Sequence, residues 1–240
     1  MIHALTGCDA IPMRVFPFRQ SDLGFKQAAV LAKWLTTEHA ELLLNGEGKF
    51  DSMYVSPCLR TLQTSKPVAE AMQLTPTVWT DIYETGGLFE GRNGVGVGGL
   101  SRMEMTAGFP GYRLPDDITD AGWYARAGFL CGREDRSQCR KRARAVQKRI
   151  VDMAGSLPQD GGGARVKKIA LVVHGDFISE LLTALLSTGD SAVYQSYNTA
   201  IHTVDVYADG STAVLMMNSV EHLRQDGSAN LCRTATLGRV

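Results

Sequence analysis

Between Lys168 and Asp176 the chain reads Lys-Ile-Ala-Leu-Val-Val-His-Gly-Asp. Five consecutive apolar residues, three of them β-branched and none alternating with a polar neighbour, describe a strand covered on both faces. A strand of that kind needs helices above and below it, which points to the α/β class. His174 closes the run, and Gly175 reads as a chain-turning residue behind it. In open α/β sheets the carboxyl ends of the strands are where ligands bind. His174 is therefore a candidate for chemistry, weighed against a core histidine whose two nitrogens are both satisfied.

The rest of the chain alternates strand and helix signals. From Gly24 to Leu44, Ala28, Val30, Leu31, Trp34, Leu35 and Leu42 to Leu44 recur at helical spacing. Asp51 to Ser56 reads as a short strand, and Pro57 opens a helix running to about Gln73. Thr75 to Ile82 reads as a further strand. Residues 85–132 are rich in glycine and proline, with helical scraps only around Ser101 to Gly108, and are expected to form an excursion over the sheet of the kind that lines binding sites. Its aromatic residues Phe89, Phe109, Tyr112, Trp123 and Tyr124 either line a pocket or anchor the loop. A charged helix spans Arg133 to Leu157, and a helix follows His174 from about Phe177 to Leu186. Ile201 to Tyr207 and Ala213 to Met217 form a closing hairpin around Asp209-Gly210. One domain over 1–225 and a loosely ordered tail over 226–240 are expected.

Composition narrows the function classes. Lys plus Arg and Asp plus Glu both number 25, so no whole-chain field draws the protein to nucleic acid or an anionic membrane. The five cysteines, Cys8, Cys58, Cys131, Cys139 and Cys232, form no Cys-x-x-Cys pair, which argues against a disulfide framework or a structural zinc site and fits a cytoplasmic setting. No stretch approaches the roughly 20 apolar residues of a membrane span. No cofactor and no metal are called for, and Asp176 reads as a helix cap rather than a ligand. The basic run Arg140-Lys141-Arg142, Arg144, Lys148 and Arg149 reads as a solvated helix face. Gly94-Val95-Gly96-Val97-Gly98-Gly99 spells a dinucleotide-loop pattern but lacks the strand and helix that such a loop joins.

A second strand-turn-helix, Val55-Ser56-Pro57-Cys58-Leu59-Arg60, places a guanidinium in the first turn of a helix just past a strand end, a position suited to a phosphate or carboxylate oxygen. Two βα turns carrying Arg60 and His174 open at one edge of one sheet, which makes a shared anion site.

At this pair the sequence resembles the histidine phosphatases, the phosphoglycerate mutase-like superfamily. Four blocks carry the resemblance. They are Leu23-Gly24-Phe25-Lys26-Gln27-Ala28; Ser56-Pro57-Cys58-Leu59-Arg60-Thr61-Leu62-Gln63-Thr64; Glu84-Thr85-Gly86-Gly87 with Phe109-Pro110, Leu114-Pro115 and Gly122-Trp123; and Val173-His174-Gly175-Asp176-Phe177 with Tyr197 to Ile201 and Asn218 to Leu223. The resemblance implies a three-layer α/β/α sandwich with a mostly parallel sheet. It implies phosphoryl transfer through a phosphohistidine on a small phosphorylated molecule, hydrolysis being favoured over mutase chemistry. Arg60 then matches a phosphate-binding arginine, His174 the second histidine, which holds phosphoryl oxygens in its protonated form, and Glu84 the acid that protonates the leaving oxygen. Partial burial is expected to raise the Glu84 pKa. Neither the identity of the substrate nor the oligomeric state is legible.

The resemblance departs at the amino terminus. The family opens with a strand ending in Arg-His-Gly, whose histidine is the nucleophile, and this chain has no Arg-His-Gly. Only Met1 and Ile2 precede His3, too few for a central strand of roughly 5 residues. The chain is therefore expected to start downstream of the nucleophile, as a clipped gene product or a catalytically impaired pseudophosphatase that binds a phosphate ligand or a partner. Lacking its central strand, it is expected to be unstable or rearranged.

Overall fold

A computed structural model describes residues 2–6, 19–38, 40, 50–90, 95–126, 129–157 and 166–227. In chain order they contain β1 (Ile2–Thr6), α1 (Asp22–Trp34), β2 (Ser52–Val55), α2 (Leu59–Met72), β3 (Thr77–Val78), β4 (Phe89–Glu90), β5 (Val95–Gly96), α3 (Arg102–Gly108), β6 (Ala125–Arg126), β7 (Phe129–Leu130), α4 (Arg136–Gly155), β8 (Ile169–Val173), α5 (Gly175–Leu186), β9 (Ile201–Val206), β10 (Thr212–Ser219) and α6 (Glu221–Gln225).

The apolar run ending at His174 is β8, and all of it is buried. Because side chains alternate across a strand, Ala170 and Val172 enter one core with Leu31, Trp34, Leu62 and Val68 from α1 and α2. Ile169, Leu171 and Val173 enter another with Val146, Ile150, Phe177 and Leu181 from α4 and α5. Two cores on opposite faces of one sheet are the α/β/α sandwich. The six strands lie in the order β10-β9-β1-β8-β2-β3. β1, β8, β2 and β3 run parallel, and β9 and β10 add an antiparallel edge.

The largest correction concerns the amino terminus. The central strand is present: β1 lies between β8 and β9, with Ile2 to Thr6 in register with Ile169 to Val173. Two residues before His3 are too few for a strand that ends at His3, but the strand extends past it to Thr6. The loss of sheet hydrogen bonds expected from a missing strand therefore does not arise.

Boundaries shift elsewhere for local reasons. Ser21, not Gly24, opens α1, its side chain accepting the Gly24 N–H at 3.1 Å. The helix stops at Trp34, where the Thr36 and Thr37 hydroxyls donate to the Lys33 and Trp34 carbonyls; the expected continuation through 41–44 lies outside the described residues. The strand expected over 75–82 shrinks to two residues. In the closing hairpin, Asp209 Oδ1 accepts from the Ser211 backbone and hydroxyl, and Gly210 takes a φ of 85°. Most of the expected tail, 228–240, lies outside the described residues.

The excursion is packed rather than loose. Tyr83, Trp123 and Tyr124 form a buried aromatic trio with ring centroids 5.3–5.5 Å apart, and Tyr112 Oη meets Ser65 Oγ on α2 at 3.0 Å. These aromatics anchor the loop. The glycine pattern serves the same packing. Val95-Gly96 is half of a short hairpin with β4, and a Cβ on Gly96 would stand 1.6 Å from the Cys131 carbonyl oxygen.

Candidate functional site

The parallel strands deliver their carboxyl ends to one edge. Val55 pairs with Val172, and Thr6 with Val173, so Ser56 and His174 emerge side by side. The Ser56 backbone N–H donates to the Val172 carbonyl at 3.0 Å. β9 runs the other way, so its first residue, Ile201, pairs with Leu5 and brings Asn198 to Ala200 to the same edge.

His174 is the N-cap of α5, with extended backbone angles, and Gly175 is the first helical residue. Gly175 does not turn the chain: it has no positive φ, and a Cβ there would meet nothing within 4 Å. The His174 ring is fully buried. Arg60 Nε donates to its Nδ1 at 3.2 Å, and its Nε2 meets Ser56 Oγ at 2.7 Å. Arginine only donates, so Nδ1 holds the lone pair and Nε2–H donates to Ser56. Burial, then the Arg60 and Arg142 cations, push the His174 pKa well below its ordinary value. In this arrangement His174 is neutral, whereas the resemblance called for an imidazolium. The burial was legible in the apolar run that His174 closes, whereas Arg142, the second cation, comes from a distant helix.

Arg60 occupies the first turn of α2 as expected, and its side chain is one-tenth exposed. The Gln63-Thr64 pair behind it holds the helix to the start of α1. Gln63 Oε1 accepts the Gln20 backbone N–H at 2.8 Å, and Thr64 Oγ1, which donates to the Arg60 carbonyl, accepts from Gln20 Nε2. Glu84 joins the pair: its Oε2 lies 3.9 Å from Arg60 Nη2, and its Oε1 accepts the backbone N–H groups of Thr85 at 2.8 Å and Phe177 at 3.0 Å. A guanidinium and two amide donors are partners of the ionised carboxylate.

Two features were not legible beforehand. Ser56 was quoted only as a motif letter, yet its hydroxyl accepts the Nε2–H that the Arg60 bond leaves on His174. Arg142, read as part of a solvated basic face, turns inward. It pairs with Glu134 at 2.6 Å, donates to the Asp81 and Tyr83 carbonyls, and stacks on Tyr83 and Phe177 at 3.6 and 4.5 Å. The signal was positional: Cys139, Ala143, Val146 and Ile150 form the buried stripe of α4, and 142 flanks it. Arg140 also has fixed partners, Glu180 and Asp190.

The end of β1 supplies no histidine. His3 lies level with Ala170, four residues short of His174, or roughly 13 Å along the strand. The strand ends at Leu5-Thr6, followed by Gly7, at the place where the resemblance puts Arg-His-Gly. Beside it, the segment 196–222 is pinned by buried polar contacts. Thr199 takes a φ of 57°, and its hydroxyl, donated to the Asn198 carbonyl, accepts from His222 Nε2 at 3.0 Å. His202 Nδ1 accepts the Asn218 N–H, which leaves Nε2–H for Ser196 Oγ. Among the described residues, no group of three or more His, Cys, Asp or Glu is placed to hold a metal ion.

The family model of the histidine phosphatase superfamily (branch 1) matches residues 21–219. No curated protein sequence matches. Among solved structures, the mycobacterial glucosyl-3-phosphoglycerate phosphatase in complex with inorganic phosphate is similar at TM-score 0.57 and 19% identity, over 92% of this chain and 98% of that one. An Entamoeba histolytica phosphoserine phosphatase in complex with 3-phosphoglyceric acid is similar at 0.56 and 18%, with the same coverage. Bacillus stearothermophilus YhfR is similar at 0.58 and 17%, again over 92% and 98%. At these identities the structures attest the fold.

Proposed function

The chain belongs to the histidine phosphatase superfamily, and from that premise we propose that it binds a small phosphomonoester at Arg60, His174 and Glu84 without forming a phosphohistidine on β1. The observation that carries this reading is the join of Arg60 to His174 at a strand edge whose neighbouring strand ends in Leu5-Thr6. The Arg60 guanidinium bonds His174 through Nε alone, which leaves its Nη atoms to face the Glu84 side of the pocket. Arginine suits the equatorial oxygens of a phosphoryl group because it presents a fixed fork of donors. A bound dianion would also offset the Arg60 and Arg142 cations that add to burial in lowering the His174 pKa, and so favour a proton on its ring. The family's nucleophilic histidine has no counterpart at position 6, which is a threonine.

A second reading keeps turnover, with Glu84 as the acid. It is favoured by the solved relatives named as phosphatases. A cytoplasmic setting is supported by Cys58, Cys131 and Cys139, which are unpaired.

The test pairs two assays on the purified chain. Calorimetric titration with phenyl phosphate is expected to give saturable binding that Arg60→Ala abolishes. Incubation with a labelled phosphomonoester is expected to leave no acid-labile, base-stable phosphoprotein. Absence of binding would overturn the first reading, and a phosphohistidine would replace it with the second.

A further inference from the structure

α5 has no side-chain cap of its own, because its N-cap His174 turns its ring away to Arg60 and Ser56. Its N-terminal amides are anion-seeking groups, as in any helix of this length. Here an anion is already present. Glu84 Oε1 takes the Phe177 N–H at 3.0 Å while Oε2 stands 3.9 Å from Arg60 Nη2. The carboxylate thus spans the helix N-terminus and the guanidinium, the two groups that would hold phosphoryl oxygens. Thr85 N–H, donating to the same Oε1 at 2.8 Å, fixes the side chain in that pose. The charges close on themselves: Arg60 is positive, Glu84 negative, and His174 neutral.

We propose that Glu84 is a tethered competitor, a carboxylate that occupies the oxyanion position of the pocket and must leave Phe177 N–H and Arg60 before a phosphoryl group can dock. This rests on the reading of Arg60 and His174 as a phosphate site, and it is separate from an acid role, which concerns a leaving oxygen. A competitor acts on any phosphate, including one with no bond to cleave. The pocket therefore selects against free orthophosphate, and a ligand must bring further contacts to displace the carboxylate. Phosphomonoesters with a sizeable organic group fit that requirement.

The test is calorimetric titration of orthophosphate into the wild type, Glu84→Gln, Glu84→Asp and Arg60→Ala. The amide introduced by Glu84→Gln keeps a carbonyl oxygen for the Thr85 and Phe177 N–H groups and replaces the charged oxygen facing Arg60 with a neutral NH2 group. That variant is expected to bind orthophosphate at least about tenfold more tightly than the wild type, the size of effect that one charge exerts on a dianion a few ångströms away. The Asp variant, which keeps the charge, is expected not to tighten. Measurable wild-type binding with no gain in the Gln variant would overturn the competitor and leave the phosphate site standing. No binding by either would overturn both. A second measurement needs no variant: in the wild type the Glu84 13Cδ resonance is expected to move as orthophosphate saturates the site, and an unmoved resonance at saturation contradicts the proposal.

Discussion

Arg60 Nε donates to Nδ1 of His174 at 3.2 Å, so one arginine serves two purposes: it orients the histidine with Nε while its Nη atoms face Glu84. A lysine cannot reproduce this, since its single ammonium is a point charge without a fork. Arg60→Lys is expected to weaken orthophosphate binding by about tenfold or more and to free the His174 tautomer, seen as a changed pair of ring 15N shifts. Equal affinity in the Lys variant would mean that charge alone matters.

Stability is expected to fall as the solution is acidified. His202 and His222 are buried, and burial pushes each pKa down to about 4. His174 is lowered as well. A histidine with a depressed native pKa takes up its proton more readily when unfolded, so the native state loses ground below about pH 6.5, and the loss grows until the native pKa is reached. For His202 and His222 this amounts to about 2 kcal/mol each between pH 7 and pH 5. The thermal midpoint should drop over that interval, and His202→Gln should reduce the drop. A midpoint unchanged from pH 7 to pH 5 would contradict the assignment.

Gly87 has a φ of 71°, and a Cβ there would stand 1.9 Å from Tyr124 Oη. Gly87→Ala adds left-handed strain to a steric clash and is expected to cost about 2 kcal/mol or more. Limited proteolysis should then cut the excursion, at 85–132, before the helices. Resistance equal to the wild type would show that the aromatic trio does not depend on that close approach.

Arg142 and Glu134 form a buried pair at 2.6 Å, with side chains 8% and 6% exposed. Removing one charge strands the other, so Glu134→Gln is expected to destabilise by about 3–5 kcal/mol in urea unfolding. The double replacement Arg142→Met, Glu134→Gln should recover part of that loss. A near-neutral single variant would return the basic run of α4 to the solvated face first read from its charge pattern.

What could be read from the sequence depended on which residues speak locally. β8 announced itself because five apolar residues need no partner information to be read as a buried strand. β1 did not, because His3 and Thr6 interrupt its apolar pattern and its place in the sheet is set by pairing with β8 and β9. Arg60 and His174 were legible as a pair from two strand-turn-helix units. Glu84 was legible only through the family resemblance: Gly86-Gly87 marks a turn, which the Gly87 N–H closes on the Glu84 carbonyl at 3.0 Å, but a turn does not single out the carboxylate at its start. The bond from Ser56 to His174 spans 118 positions, and the inward turn of Arg142 depends on a glutamate eight residues earlier, ahead of the helix. The first was beyond any local pattern, and the second was marked only by the place of 142 beside the buried stripe of α4.

The central claim, a phosphomonoester site without phosphohistidine chemistry, is tested most directly by one 31P NMR time course of phenyl phosphate with the purified chain. The account predicts an ester resonance that shifts and broadens with protein and recovers in Arg60→Ala, while no orthophosphate resonance grows. An orthophosphate signal that rises with wild-type protein and is lost in Arg60→Ala would contradict it.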